Sequence, residues 1–245
     1  MTEKKDTFLL SRITDACCKN FEPRFFDFFD EVFQQKIADT IKHNGVPYLF
    51  FGGHPDAERK MLCIYPDYLS SEDLEWPIFA IEFEKVIPID HRNVLGELMH
   101  LGITRESIGD IDVGEKKTQI ILHQRLQEFM WINFNQIKGR EIRTKIKTGE
   151  QIESFEKNYK RMSVVVASNR MDGIINKIWG FSRQNSLVLI KQGKLRVNYV
   201  EIYKNDFRLK SGDVLSLRGK GKAKIISMDE RTKKGNIRLE VDRYI

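Results

Sequence analysis

Lysine and arginine side chains gather around two predicted turns in the last third of the chain. Arg183 lies in the first turn of a predicted short helix, and Lys191, Lys194 and Arg196 flank Gly193, the glycine that ends this helix. The free N–H groups of a helix N-terminus attract anions. A phosphate beside Arg183 would therefore be stabilised both by the guanidinium and by the helix N-terminus. The grouping predicts a surface that binds a polyanion such as the backbone of folded RNA.

A second group of cations alternates with small residues in the segment Arg218–Lys224. Gly219 and Gly221 let the backbone approach a phosphate closely, and their N–H groups can join the contact. This segment alone could be an exposed hairpin, and a helical run of cations is usually a solvated face. The charge distribution favours phosphate binding, because residues 167–245 hold 18 Lys and Arg against 8 Asp and Glu, a net charge of +10, whereas residues 1–166 carry −4.

Composition excludes several other classes of protein. The 245 residues are 41% hydrophobic, enough for folded cores, yet no apolar run approaches the roughly 20 residues that span a bilayer. The N-terminus lacks the features of a secretory signal. Cys17, Cys18 and Cys63 form neither a disulfide framework nor a zinc spacing. We therefore expect a cytoplasmic protein with no metal, no cofactor, no small-molecule substrate and no membrane partner.

The hydrophobic patterns predict an α+β chain of three units with bounds 1–75, 76–166 and 167–245. The first is a small α/β unit. The second follows the order β-α-β-β-α-β of a ferredoxin-like unit, the topology shared by the RNA-recognition module, although no base-stacking aromatic signature is visible. The strand-like segment Tyr159–Ala167 is assigned to this second unit. The third has two short helices followed by strands, with Lys233–Asn236 as the turn of a C-terminal hairpin.

Residues that could have been catalytic favour a structural interpretation instead. His54 and Arg59 lie close together in sequence, but the segment is better explained as a turn in which Asp56 or Glu58 pairs with Arg59. Gly219–Gly221 lacks the ending of a phosphate-binding P-loop and no helix follows it.

Three further cations are secondary candidates for RNA contact: Arg59, Lys60 and, in the first turn of a helix after Asp90, Arg92. The phenylalanines at positions 25, 26, 28 and 29 and the neighbourhood of Trp131 are predicted to be core.

The segment Asn169–Gly219 resembles the αL RNA-binding domain, which is named after a small-subunit ribosomal protein. The matching pieces are Arg170-Met171-Asp172, Ser182-Arg183, Leu189-Ile190, Gly193, Val197-Asn198, Leu209 and Gly212-Asp213-Val214. Met171 stands where the family usually has leucine. The resemblance implies a structural role for Asp172, fixing an arginine, and RNA contact at Arg170, Arg183, Lys191, Lys194 and Arg196.

Most of the remaining chain is similar to the YlmH family of bacterial RNA-binding proteins. The similarity rests on Gly52–Tyr68, on His91–Ile111 and on the C-terminal αL segment. It implies a cytoplasmic, ribosome-associated protein whose partners are structured rRNA, tRNA and the large ribosomal subunit. Some members of the family are linked to obstructed large subunits that still carry peptidyl-tRNA.

Two functions follow from these features. The leading hypothesis is a non-enzymatic RNA-binding factor that acts on the ribosome, in rescue or quality control. The alternative is an RNA-modifying enzyme, a pseudouridine synthase or methyltransferase that docks its substrate with the αL domain. The candidate RNA contacts in the C-terminal unit are Arg170, Arg183, Lys191, Lys194, Arg196, Lys204, Arg208, Arg218, Lys220, Lys222 and Lys224.

Overall fold

The chain folds into helices and antiparallel sheets, which confirms the α+β class. The computed structural model describes residues 2–18, 21–155, 159–198, 200–231 and 235–244, with the backbone alone at residues 2–5 and 229–231. Contacts between Cα atoms divide the chain into two compact units, 1–156 and 157–245. Among the described helices, none has the length and apolar character to cross a bilayer.

The N-terminal part is a three-stranded antiparallel sheet covered by two helices. Its elements are α1 (Thr2–Cys18), β1 (Arg24–Phe29), α2 (Glu31–Ile41), β2 (Tyr48–Phe51) and β3 (Lys60–Ile64), and the strand order is β1-β3-β2. Asp30 caps α2 by accepting a hydrogen bond from Phe33 N at 3.0 Å. Both helices pack on one face of the sheet, where Ile13, Ile37 and Leu62 are fully buried.

A four-stranded sheet follows in the same unit. Its elements are β4 (Ile78–Glu84), α3 (His91–His100), β5 (Ile108–Val113), β6 (Lys117–His123), α4 (Gln127–Asn133), the short hairpin β7 (Gln136–Ile137) and β8 (Arg140–Glu141), and β9 (Thr144–Thr148). The strand order is β5-β6-β4-β9, with every pairing antiparallel. Phe79, Ile81 and Met130 help to form the core on the helix side. Trp131 does not join this core. It is 57% exposed, so the prediction of a buried Trp131 was wrong.

The two N-terminal sheets share a second hydrophobic core. Phe28 and Met61 of the first sheet pack against Ile78, Ala80 and Ile121 of the second. The packing confirms that the phenylalanine run in β1 is core. It also explains why residues 1–156 form one compact unit, while a domain boundary at residue 75 stays a prediction.

The C-terminal unit is a six-stranded antiparallel sheet with two helices on one face. Its elements are β10 (Tyr159–Val166), α5 (Met171–Trp179), α6 (Arg183–Lys191), β11 (Leu195–Val197), β12 (Val200–Glu201), β13 (Val214–Leu217), β14 (Gly221–Arg231) and β15 (Ile237–Tyr244). The order is β10-β15-β14-β13-β11-β12.

Strand β10 corrects the predicted organisation of the chain. All eight of its residues, from Tyr159 to Val166, pair with β15 in the C-terminal unit, so assigning this segment to the central unit was wrong. The last strand of the four-stranded sheet is instead β9. In the predicted hairpin turn before β15, Lys233 and Lys234 lie outside the described residues.

Candidate nucleic-acid interface

Helix α6 presents Arg183 at its start. Ser182 caps the helix by accepting a hydrogen bond from Asn185 N at 3.1 Å, and its backbone carbonyl accepts from Ser186. The cap leaves Arg183 exposed in the first turn, beside the positive end of the helix dipole. Both features favour an anion at this position, as the sequence predicted.

Arg170 is held beside this helix by Asp172. The guanidinium donates to both carboxylate oxygens of Asp172, at 3.2 and 3.1 Å. Burial tends to raise the pKa of Asp172, but the hydrogen bonds from Arg170 and the charge of Arg183 hold this pKa below its usual value. Arg170 also pairs through its backbone with Arg208. Asp172 therefore orients one arginine, lies close enough to interact with a second, and keeps its negative charge.

The turn after α6 requires glycine for two reasons. Gly193 has φ +63°, and a Cβ atom at this position would lie 2.8 Å from the ring of Tyr203. The turn is closed by hydrogen bonds from Gly193 N to Ile190 O at 2.9 Å and from Lys194 N to Leu189 O at 3.1 Å. This geometry places Lys194 on the surface just beyond the helix end.

The turn between β13 and β14 is anchored next to α5 and α6. Arg218 N donates to Lys194 O at 3.0 Å, and Trp179 Nε1 donates to Lys220 O at 3.1 Å. The ammonium group of Lys220 lies 5.9 Å from the centre of the Phe181 ring. The two turns that the sequence singled out are therefore neighbours, and they bring Lys194, Arg218 and Lys220 to one edge of the unit.

Arg196 is partly neutralised by a carboxylate. It donates to Glu201 Oε1 at 3.0 Å, and Tyr203 donates its hydroxyl to Glu201 Oε2 at 2.8 Å. The hydrogen bond from Arg196 is the main reason that the pKa of Glu201 is lowered, and the charge of Arg218 contributes to the same shift. An RNA phosphate at this position would compete with Glu201 for two arginines.

The predicted cations do not all share one face of the C-terminal unit. Lys222 and Lys224 alternate along β14 with Ala223 and Ile225, which are fully buried in the core. Since successive side chains of a strand point to opposite faces, these lysines lie on the sheet face away from the helices. Arg196 lies on that same face, between buried Leu195 and Val197 of its own strand.

Arg161 on this outer face was missed as a relevant residue because β10 was assigned to the wrong unit. Its guanidinium makes a two-pronged contact with Asp242, at 2.7 and 2.8 Å. Asp242 in turn lies opposite Lys224 in the β14–β15 register. Acidic side chains, Glu201 and Asp242 among them, therefore offset part of the charge on the outer face. The cations near α6 and its two turns are the better candidates for phosphate contact.

The other predicted contacts are exposed or partly exposed. Lys191, Lys204 and Arg208 are exposed in the C-terminal unit. Arg92 is exposed near the start of α3, whose N-cap is Asp90. Lys60, the first residue of β3, is half-buried.

Arg59 has a structural role in the N-terminal unit, and RNA contact at Arg59 stays a prediction. Its guanidinium donates to the carbonyl oxygens of Ile108, Phe28 and Arg105 at 2.8, 2.9 and 3.0 Å. Burial lowers the pKa of Arg59, while nearby carboxylates, Asp110 among them, oppose that shift. The guanidinium of Arg59 was expected to pair with Asp56 or Glu58, but its hydrogen bonds go to these backbone carbonyls.

His54 is buried between carboxylates of the same unit. It is 3% exposed, and its Nε2 lies 3.6 Å from Asp112 Oδ2. His54, Asp110 and Asp112 offer ligand atoms within 4.8 Å of one another. Asp110 already accepts the backbone N–H groups of Glu58 and Arg59, at 2.7 and 2.9 Å. These contacts order the turn after β2.

Comparison with known proteins assigns a family domain to part of the N-terminal unit. The family model described as "Putative RNA-binding domain in YlmH" matches residues 70–151, a range that contains all four strands of the second sheet. The chain is thus an α+β protein with the RNA-binding domain type of YlmH proteins.

Relatives extend the similarity beyond that domain. The ribosome-associated protein quality control protein P2 of Bacillus subtilis (strain 168) is 28% identical over 233 residues, which cover 92% of this chain and 89% of the relative. The solved structure of the cell division protein ylmH from Streptococcus pneumoniae aligns with a TM-score of 0.53 at 18% identity, over 60% of this chain and 92% of that chain, a likeness of fold. Together these comparisons confirm the resemblance to the YlmH family that the sequence showed.

Proposed function

We propose that this protein is a non-enzymatic factor that binds structured RNA of the ribosome, on the large subunit and on tRNA held there, in quality control of obstructed ribosomes. The arrangement that carries the proposal is the group of exposed cations around α6 and its two neighbouring turns: Arg183, Lys194, Arg218 and Lys220. Two tight turns and an N-cap hold their backbones in place, so a phosphate backbone meets a preformed surface.

We assign different roles in RNA binding to the C-terminal unit and to the four-stranded unit. The C-terminal unit is an αL-type RNA-binding domain with additional strands, and it supplies the salt-dependent part of the affinity. The four-stranded unit has the strand order of a ferredoxin-like fold and positions the protein on its target. The relative from Bacillus subtilis carries ribosome association and quality control in its name, which supports the same role and a cytoplasmic location here.

Charge reversal of Arg183 and Lys194 tests the proposal. The R183E/K194E variant should lose co-sedimentation with large ribosomal subunits and bind structured RNA at least roughly tenfold more weakly. The slope of log K against log salt should become shallower by about 2, one for each lost phosphate contact. The matched control is K177E/K210E, which makes the same change of charge at two exposed lysines of the unit outside the proposed surface.

The outcomes separate a local surface from overall charge. If only R183E/K194E loses binding, the proposed surface is supported. If R183E/K194E and K177E/K210E lose binding equally, RNA binding depends on the net charge of the unit and not on this surface. Normal co-sedimentation of R183E/K194E would overturn the proposed surface. Mass spectrometry of RNA from a deletion strain tests the non-enzymatic part, since one missing modified nucleotide would establish an enzyme.

A further inference from the structure

The central sheet cannot stack bases on its open face, because that face is covered. RNA-recognition modules bind unpaired bases on aromatic side chains that project from such a sheet. Here Ile78, Ala80 and Ile121 point from that face into the core shared with Phe28 and Met61. Any base stacking by the unit must therefore use an aromatic side chain elsewhere.

Trp131 is such a side chain. It projects from α4 and is 57% exposed, while its neighbour Met130 is fully buried. Trp131 lines an open groove of about 830 Å³ between α4 and the edge strand β9, together with Gln127, Glu128, Lys145 and Ile146. An exposed indole beside an open groove can stack on a flat ring such as a base.

The groove has cations at its rim. Lys145 is exposed on β9. Arg125 is held in position by Asp27 Oδ1 and by Ser107 Oγ, both at 2.7 Å, yet its side chain is still 51% exposed. Residues 124–148 contain 6 Lys and Arg against 2 Asp and Glu, a net charge of +4 within an N-terminal region whose overall charge is −4. The groove lining itself holds Arg125 and Lys145 against Glu128, an excess of one positive charge that favours an anionic ligand.

An added peptide strand is the less favoured occupant. Strand β9 is a sheet edge, and exposed edges invite strand addition. However, lysines on an edge strand are a standard protection against such pairing, and β9 carries Lys145 and Lys147. A nucleic acid needs no strand pairing, because any base can stack on an aromatic ring while cations meet its phosphates.

We propose that Trp131, Arg125 and Lys145 form a second RNA contact, which stacks an unpaired base of a single-stranded segment and binds its adjacent phosphates. This inference rests on the proposed function, because it assigns the second contact to the same RNA target. It gives the family's RNA-binding domain a binding groove at the edge of the sheet beside α4 rather than on the sheet face.

The test is fluorescence anisotropy of the full-length protein with a labelled oligouridine of about 12 nucleotides. The W131A variant should bind this RNA about 5- to 100-fold more weakly, the loss expected for one base–aromatic stack. W131F keeps an aromatic face and should retain most of the affinity. The matched control is I132A, because Ile132 is 63% exposed on the same helix but does not line the groove.

Structured RNA distinguishes this inference from the proposed function. The R183E/K194E variant should lose its affinity for structured RNA. The W131A variant should lose mainly its affinity for the unpaired oligonucleotide. If W131A and I132A bind the oligouridine as the wild type does, the groove is not an RNA contact, while the loss in R183E/K194E still supports the proposed function. If W131A binds oligouridine as the wild type does but no longer binds a ribosomal protein that the wild type binds, the groove is a protein-docking site and the inference is overturned. A wild-type protein that binds no RNA would overturn both.

Discussion

Replacing Arg59 with alanine should destabilise the N-terminal unit strongly and leave RNA affinity unchanged. The guanidinium satisfies three backbone carbonyls, those of Phe28, Arg105 and Ile108. These carbonyls belong to β1, to the turn before β5 and to β5 itself, so a single side chain ties together three segments that are distant in sequence. Removing it leaves the carbonyls of Phe28 and Arg105 without their charged donor, while Ile108 O keeps a hydrogen bond from Arg105 Nη1 at 3.2 Å.

The expected loss can be estimated from these contacts. A hydrogen bond to a charged group contributes about 1.5–3 kcal/mol, and each buried acceptor left unsatisfied costs about 1–3 kcal/mol. The contributions are not additive, because they share one side chain. We therefore expect a loss of about 3–5 kcal/mol. At about 2–4 °C per kcal/mol for a unit of this size, the Tm of the N-terminal unit should fall by about 6–20 °C.

Thermal unfolding followed by circular dichroism measures the shift, and anisotropy with structured RNA well below the Tm measures binding. R59K keeps the charge but not the planar fork, so it should recover only part of the stability. K60A, at the adjacent position, is the matched control and should change the Tm by less than about 2 °C. If R59A unfolds like the wild type but binds RNA tenfold more weakly, the structural role assigned to Arg59 is wrong.

Two further substitutions test the C-terminal unit. R161A should lower its Tm and flatten its acid unfolding, because the hydrogen bonds from Arg161 are the main reason that the pKa of Asp242 is lowered. A carboxyl group with a lowered pKa stabilises the fold above its unfolded value of about 3.9 and loses that effect as the pH falls, so melting curves from neutral pH to about pH 3 measure the difference. G193A should destabilise by at least about 1–2 kcal/mol in denaturant titration, since its Cβ atom would meet Tyr203 in a left-handed conformation. A Tm of G193A equal to that of the wild type would contradict the assigned turn geometry.

Local sequence signals predicted most of the elements. Asp30, Asp90 and Ser182 each cap the helix that their positions indicated. Gly180 and Gly193 follow the C-terminal ends of α5 and α6 in left-handed conformations. These features act over three or four residues, so one sequence is enough to recognise them.

The errors concern contacts between residues that are far apart in sequence. The apolar run in β10 indicates a buried strand but not its partner, and it pairs with β15 about 80 positions further along the chain. The carbonyl acceptors of Arg59 likewise leave no signal near Arg59 itself. Trp131 was assigned to the core, but Met130 and Phe134 fill the buried positions of this segment instead.

The outer face of the C-terminal sheet shows why a count of cations is a poor guide to a binding surface. Arg161 and Arg196 there have carboxylate partners in Asp242 and Glu201. A phosphate must displace such a partner before it gains the arginine, so these pairs contribute less to affinity than cations whose neighbours are neutral. Lys220 has an aromatic ring as its neighbour, and Arg183 has a helix N-terminus. Salt should therefore weaken binding through the cations around α6 and through the phosphate contacts of Arg125 and Lys145, whereas the base stacking on Trp131 itself should depend little on salt.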